Sequence, residues 1–184
     1  MDANYNRIGG LRAEWRALSS RADICTLRER LVHRYMDEFL RAALVEAQKG
    51  HAAGGIPIGS VLVIDGTIVG RGHNQRVQKS SAVLHAEMDC LENAGRLLPS
   101  DYRRATLYST LSPCDMCSGA ILLYKIPVVI VGENQTFRGP EEYLRSRAVK
   151  VQVMNNAECI ELMKRFIEEH PALWNEDIGE APGS

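Results

Sequence analysis

ATLYSTLSPCDMCSGAILLYKIPVVIVG, residues 105–132, reads as strand, helix, strand. Ala105 to Leu111 has the composition of a β-strand, which Ser112-Pro113 ends. Cys114 opens a helix running to about Lys125, and Val128 to Gly132 follows as an apolar run typical of an interior strand. Upstream, Ile58 to Ile64 and Thr67 to Gly72 flank Asp65-Gly66, a hairpin signal. His85 opens a helix running to about Leu97. Downstream come a short helix from Glu141 to Arg147, a strand from Lys150 to Met154 and a helix from Ala157 to Glu169 that Pro171 stops. Towards the N-terminus, Thr26 with Glu29 forms a capping box. Leu27, Leu31, Tyr35, Phe39, Leu40 and Leu44 then recur at helical spacing until Gly50, and Gly54-Gly55 begins a loop. The order αββαβαβαβα predicts an α/β fold, a three-layer α/β/α sandwich around a mixed five-stranded sheet.

The bulk numbers narrow the class. A chain of 184 residues, 45% apolar and 24% charged, is most simply one globular domain, expected over residues 26–184. Residues 1–25 are expected to be an extension, surface-packed or disordered. Arg7, Arg12, Arg16 and Arg21 with Leu11, Trp15 and Leu18 suit an amphipathic helix, while Asp2, Glu14 and Asp23 argue against a targeting peptide. A net charge of −1 leaves no electrostatic footprint for nucleic acid. The five cysteines, at 25, 90, 114, 117 and 159, are odd in number and unevenly spread. They suggest no disulfide framework and a reducing compartment, the cytoplasm with the nucleus as a second location. No apolar run approaches the roughly 18 residues of a membrane span.

His85-Ala86-Glu87 and Pro113-Cys114-Asp115-Met116-Cys117 carry the chemistry. Each alone says little: Cys-x-x-Cys is more often structural zinc or redox, and His-x-Glu is common. Together, in this order, they resemble the signature of the zinc-dependent base deaminases. The resemblance implies one zinc per chain on His85, Cys114 and Cys117, with Glu87 as acid/base rather than ligand. That set is sound physically. Imidazole and two thiolates suit zinc, and three protein ligands leave the fourth position to water. Cys90 is the nearest candidate for a fourth ligand, but it belongs to an apolar helix. Both ligand groups fall at helix starts, where the helix dipole favours thiolates. On a regular helix residues i and i+2 point about 200° apart. His85 and Glu87 can therefore serve one pocket only from a non-regular first turn.

Further stretches narrow the resemblance. GGIPIG (54–59), GRGHN (70–74), LENAGR (91–96), TLSPCDMCSGAI (110–121), VGEN (131–134) and WNEDIGE (174–180) are similar to the fungal-type cytosine deaminases of the cytidine-deaminase-like superfamily. That family implies a homodimer acting on free cytosine in pyrimidine salvage. Residue by residue, it implies that Asn74 binds the pyrimidine edge near O2, aided by the backbone N–H of Ala86. Asp177 would accept from ring N1–H and the carbonyl of Ser112 from the amino group. Phe137 and Trp174 would wall the pocket, with Ile56 nearby. Without the resemblance, Asn74 reads as a turn residue, Trp174 as packing and Asp177 as a solvated tail acid. Two departures stand out: Ala86 replaces an expected Gly, and Met88-Asp89-Cys90 replaces a more neutral run.

The implied reaction is hydrolytic deamination of cytosine to uracil and ammonia, with a zinc-activated water attacking C4 and Glu87 shuttling protons. The alternatives are another small amidine-bearing ring, such as isocytosine, guanine or creatinine, a tRNA adenosine deaminase, and a catalytically silent zinc-stabilised subunit. Retention of Glu87 argues against the last. The expected partners are a small pyrimidine base and a second copy of the chain through the helix around Ile121 to Tyr124, with neither nucleic acid nor membrane.

Overall fold

The computed structural model describes residues 38–180. The extension at residues 1–25, the capping box and the first turns of the helix predicted from Thr26 lie outside the described residues. The first described helix, α1, covers residues 38–52 and passes Gly50, where the sequence predicts a stop. Gly50 serves two other ends there. A Cβ on it would stand 3.0 Å from the His73 ring, so the glycine lets helix and strand approach. Its carbonyl also accepts from Gly55 N at 2.9 Å and from Gln78 Nε2 at 3.1 Å.

The hairpin forms as its turn residues dictate. Strands β1 (Gly59–Ile64) and β2 (Thr67–His73) pair antiparallel, with Ile64 opposite Thr67. Asp65 and Gly66 both take positive φ, 49° and 76°, the conformation a two-residue hairpin loop requires. Strand β3 (Ala105–Leu111) pairs antiparallel with β1, while β4 (Val128–Glu133) and β5 (Lys150–Val153) continue parallel to it. The sheet is mixed, with order β2-β1-β3-β4-β5. Parallel neighbours need crossover connections, and helices provide them.

Beyond α1, the helices are α2 (Arg76–Lys79), α3 (Ala86–Ala94), α4 (Pro99–Tyr102), α5 (Asp115–Tyr124), α6 (Glu141–Ser146), α7 (Ala157–Glu169) and α8 (Pro171–Asp177). Three of them, α2, α4 and α8, are additions to the predicted order. Helix α3 ends earlier than Leu97 because Gly95, at φ 74°, takes the chain out of the helix. Pro171 ends α7 as expected but also occupies the first turn of α8, a position that tolerates its missing N–H.

Strand alternation sends side chains to two apolar layers. Leu62, Leu107, Val129 and Val131 meet Cys90 and Leu91 of α3, Ile121 of α5 and Leu144 of α6 on one face. On the other, Leu44 and Ala47 of α1 pack with Cys159 and Leu162 of α7. Met163 and Phe166 of α7 join Ile56, Ile58, Leu111 and Trp174 in a neighbouring cluster. This is the three-layer sandwich. Each fully buried Leu or Ile contributes about 1.5–3 kcal/mol relative to exposure. The carboxyl end of β3 opens directly into Ser112-Pro113-Cys114 and the start of α5, and this end of the sheet carries the site.

Candidate active site

His85 is the N-cap of α3, with φ −64° and ψ 165°, and Cys114 is the N-cap of α5, with φ −70° and ψ 178°. Both are extended rather than helical, so His85 and Glu87 escape the opposition that regular helix geometry would impose. The two helix starts meet: His85 Nδ1 lies 3.5 Å from Cys114 Sγ. Ligand atoms of His85, Cys114 and Cys117 all fall within 4.8 Å of one another. Ligands of a tetrahedral N/S zinc site stand roughly 3.6 Å apart, so the donor set fits zinc in chemistry and in spacing. Among the described residues no fourth protein ligand joins the cluster. Cys90 is wholly buried in the apolar core instead.

The two thiols differ. A hydrogen bond from Cys117 drives Cys114 down to about 4, with further help from His85 and against the effect of burial. The same hydrogen bond, together with burial, pushes Cys117 well above the ordinary thiol range. Burial lowers the His85 imidazole, but the Cys114 hydrogen bond and the Asp177 and Glu87 carboxylates outweigh it and the net shift is upward.

Glu87 projects from the first turn of α3 and is 4% exposed. Its Oε1 accepts from Ser109 Oγ at 3.0 Å and its Oε2 lies 3.3 Å from Cys117 Sγ. Burial raises its carboxyl, and the Cys114 charge raises it further. A carboxyl so placed, with its proton affinity raised, is suited to take and return a proton. Ser109, which orients it, is absent from the sequence reading. The only signal is a small hydroxyl amid the apolar positions of β3.

A cavity beside the cluster is lined by His85, Glu87, Ser112, Cys114, Phe137, Trp174 and Asp177, with Ile58, Leu111 and Ile178 completing its apolar wall. Phe137 and Trp174 meet edge to face, centroids 6.0 Å apart. Ile56 is fully buried in the adjoining cluster with Ala86 and Trp174, and Ile58 rather than Ile56 lines the cavity. Asn74 is fully buried. Its Nδ2 donates to Asp177 Oδ1 at 2.9 Å and its Oδ1 accepts from Arg76 N at 3.0 Å. His85 Nε2 stands 3.7 Å from the same Asp177 oxygen.

Ser112 donates from Oγ to Glu141 Oε1 at 2.9 Å and accepts from Gly139 N at 3.1 Å. Glu141 also receives Asn134 Nδ2 at 3.0 Å and pairs with Arg145 at 3.2 Å. Gly139 approaches Pro113 so closely that a Cβ would fall 1.8 Å from its carbonyl oxygen. The loop carrying Phe137 is thereby fastened to the loop carrying Cys114. Glu133 holds the other end, accepting from the backbone N–H of Gln135 and Thr136 at 2.6 and 3.1 Å and from the Thr136 hydroxyl. Glu141 and Arg76 are the further residues that sequence reasoning misses. Both act on partners that no local motif names.

One nitrogen and two sulfurs at paired helix starts, a buried carboxyl beside them and an aromatic-walled cavity define a zinc-dependent deaminase. Residues 34–133 match the family model described as the cytidine and deoxycytidylate deaminase zinc-binding region, and the chain belongs to that family. It is 54% identical over 142 residues to a cytosine deaminase of Candida albicans, spanning 77% of this chain and 95% of that relative. It is 40% identical over 146 residues to a tRNA-specific adenosine deaminase of Streptococcus pyogenes, across 71% of this chain and 89% of the relative. A structure from a study of A-to-I editing by tRNA:A34 deaminases superposes with a TM-score of 0.59 at 28% identity, covering 68% of this chain and 99% of that one. The fold is cytidine-deaminase-like, and zinc is its cofactor.

Proposed function

We propose that this chain deaminates free cytosine to uracil and ammonia, working as a cytoplasmic homodimer in pyrimidine salvage. The observation that carries the substrate assignment is α8. It places Trp174 and Asp177 in the cavity wall beside the His85–Cys114–Cys117 cluster. A pocket closed on that side suits a small planar ring. The likeness to the Candida cytosine deaminase supports the same reading.

Bound to His85, Cys114 and Cys117, zinc supplies the Lewis acidity that activates water. The rest falls to the chain. Phe137 and Trp174 orient the ring by stacking and edge contacts. Asn74 and the N–H of Ala86 hold the O2 edge, Asp177 accepts from N1–H, and the Ser112 carbonyl accepts from the amino group. Glu87, oriented by Ser109, moves one proton from the attacking water to N3 and the second to the departing amine. Water and cytosine in, uracil and ammonia out, balances with Glu87 restored.

The Streptococcus relative acts on tRNA adenosine, and it is the second reading to weigh. A base carried on RNA arrives with its sugar attached, on a ring position that α8 closes off here. A net charge of −1 offers no general attraction for RNA. An ammonia-release assay across cytosine, cytidine, adenine, guanine, isocytosine and creatinine, with a tRNA anticodon stem-loop beside them, tests the assignment. Cytosine should dominate; preference for a purine or for the stem-loop would reject it.

The proposed dimer face is the outer side of α5, where Leu123 is 72% and Tyr124 39% exposed. Ile121, which the sequence reading places in that interface, is wholly buried in the chain's own core. Tyr124 stacks on Tyr102 at 4.6 Å, which extends the apolar face. A monomer by light scattering at micromolar concentration would count against this assembly. Among the described residues no helix is long and apolar enough to cross a membrane.

A further inference from the structure

Helix α8 has only seven residues, too few to persist by its own hydrogen bonds. One anchor is Trp174, 5% exposed in the apolar cluster with Phe166 and Ile56. The other is polar and comes from far away in sequence. The guanidinium of Arg76, on α2, reaches the last turn of α8. Its Nη1 donates to the Glu176 carbonyl at 3.1 Å and to Asp177 Oδ1 at 3.2 Å, and its Nη2 donates to Glu176 Oε1 at 3.1 Å. A cation at a helix C-terminus also meets the negative end of the helix dipole. Nε of Arg76 is buried without a partner among the described residues, so the guanidinium is held here despite one unsatisfied donor.

The contact bears on chemistry because Asp177 is buried, its side chain 2% exposed. Asn74 Nδ2, Arg76 Nη1 and His85 Nε2 all approach a single oxygen, Oδ1. That convergence fixes the carboxylate plane and leaves Oδ2 outside the three contacts. Of these groups, only Arg76 touches both Asp177 and the backbone that carries it.

We propose that Arg76 is a positioning residue that latches α8 over the pocket and aims Oδ2 of Asp177 at the ring N–H of the bound base. The proposal rests on the cytosine reading above and assigns a specificity role to a residue that touches neither substrate nor metal. Arg76 sets how firmly the N1 side of the pocket is closed, and with it the discrimination against rings substituted at N1.

The test uses the zinc-loaded full chain and compares Arg76→Gln, Arg76→Lys, Glu176→Gln and Asp177→Asn on cytosine and 1-methylcytosine. Losing one charged hydrogen-bonding group corresponds to about a tenfold effect or more. Arg76→Gln should raise KM for cytosine about tenfold with a much smaller change in kcat, and narrow the preference over 1-methylcytosine by a similar factor. Amide hydrogen exchange across residues 171–178 should accelerate while zinc content stays unchanged. Arg76→Lys should recover part of the loss. Glu176→Gln, whose altered side chain is 65% exposed and does not threaten the fold, should raise KM severalfold. Unchanged KM or unchanged exchange in Arg76→Gln, with Asp177→Asn impaired, overturns the latch and leaves the pocket reading intact. Should Arg76→Gln fail to fold, unchanged KM and exchange in both Arg76→Lys and Glu176→Gln overturn it equally. A silent Asp177→Asn removes the pocket reading and the latch with it.

Discussion

Glu87 accepts a hydrogen bond from Ser109, faces Cys117 and lies in the wall of the aromatic-lined cavity, yet it is not one of the three clustered metal donors. The role proposed for it is proton transfer, and Glu87→Gln should keep zinc and fold while losing at least about a thousandfold in turnover. Metal analysis beside the ammonia assay checks this; near-normal turnover in a zinc-loaded variant contradicts it. The cysteines give a second expectation. With zinc removed, Cys114 lies far below neutral, at about 4, and is partly exposed. It is already thiolate across pH 6–8, so its alkylation rate should stay flat there, whereas an ordinary thiol near 8.5 gains close to tenfold per unit. Buried Cys90 and Cys159, both raised to about 12, should stay unmodified. Peptide mapping by mass spectrometry separates the sites, and a Cys114 rate that climbs with pH refutes the assignment. The cluster of His85, Cys114 and Cys117 with Glu87 beside it was legible in the sequence because it is written in two short spacings. Arg76 and Ser109 were not, because Arg76 meets a carboxylate 101 residues away and Ser109 meets Glu87 across two elements.

Helix starts do the assembling. N-cap residues must leave helical φ/ψ, and His85 and Cys114 use that freedom to turn their side chains to one point. The sequence predicts a non-regular first turn from the need to bring His85 and Glu87 together, and the extended His85 backbone provides it. Helix α7 runs over its predicted residues because its apolar spacing is clear and Asn156 caps it, accepting from Cys159 N at 3.0 Å. Helix α8 was hidden because Pro171 reads as a stop, while its role as a first-turn residue depends on tertiary support from Trp174 and Arg76. The proposed size selection belongs to this element. If Oδ2 of Asp177 accepts from N1–H, a ribose there removes that donor and leaves the buried oxygen without its partner, while Oδ1 keeps Asn74 and Arg76; together with the bulk of the sugar this corresponds to roughly a hundredfold or more. Cytosine should therefore exceed cytidine in kcat/KM by at least that factor, and comparable values would withdraw the Asp177 assignment. Removal of residues 174–184 should depress turnover on cytosine at least as much while zinc stays bound, since among the described residues no donor of the cluster lies beyond Cys117.

At the scale of the whole molecule, the mixed sheet was legible because Asp65-Gly66 forces an antiparallel pair and the strand–helix–strand runs then force parallel ones. The layers should assemble without metal: His85, Cys114 and Cys117 lie outside the large apolar cluster of Leu62, Leu107, Ile121, Val129 and Leu144. Zinc instead ties together the first turns of α3 and α5, which pack on that cluster from separate parts of the chain. A ligand bound only by the native state adds about 4 kcal/mol when present at a thousand times its Kd. For a domain of this size each kcal/mol moves the midpoint by roughly 2–4 °C. Chelation at fixed protein concentration should thus lower Tm by roughly 10 °C while leaving a single cooperative transition. Re-addition of zinc should restore it, and Cys117→Ala should melt at the chelated value whether or not zinc is present. Glu87→Gln, which removes no ligand, should keep the full zinc-dependent shift. Calorimetry reads all four. An unchanged Tm on chelation would show that these three side chains do not hold the metal, and loss of any cooperative transition would show that the sandwich cannot stand without it.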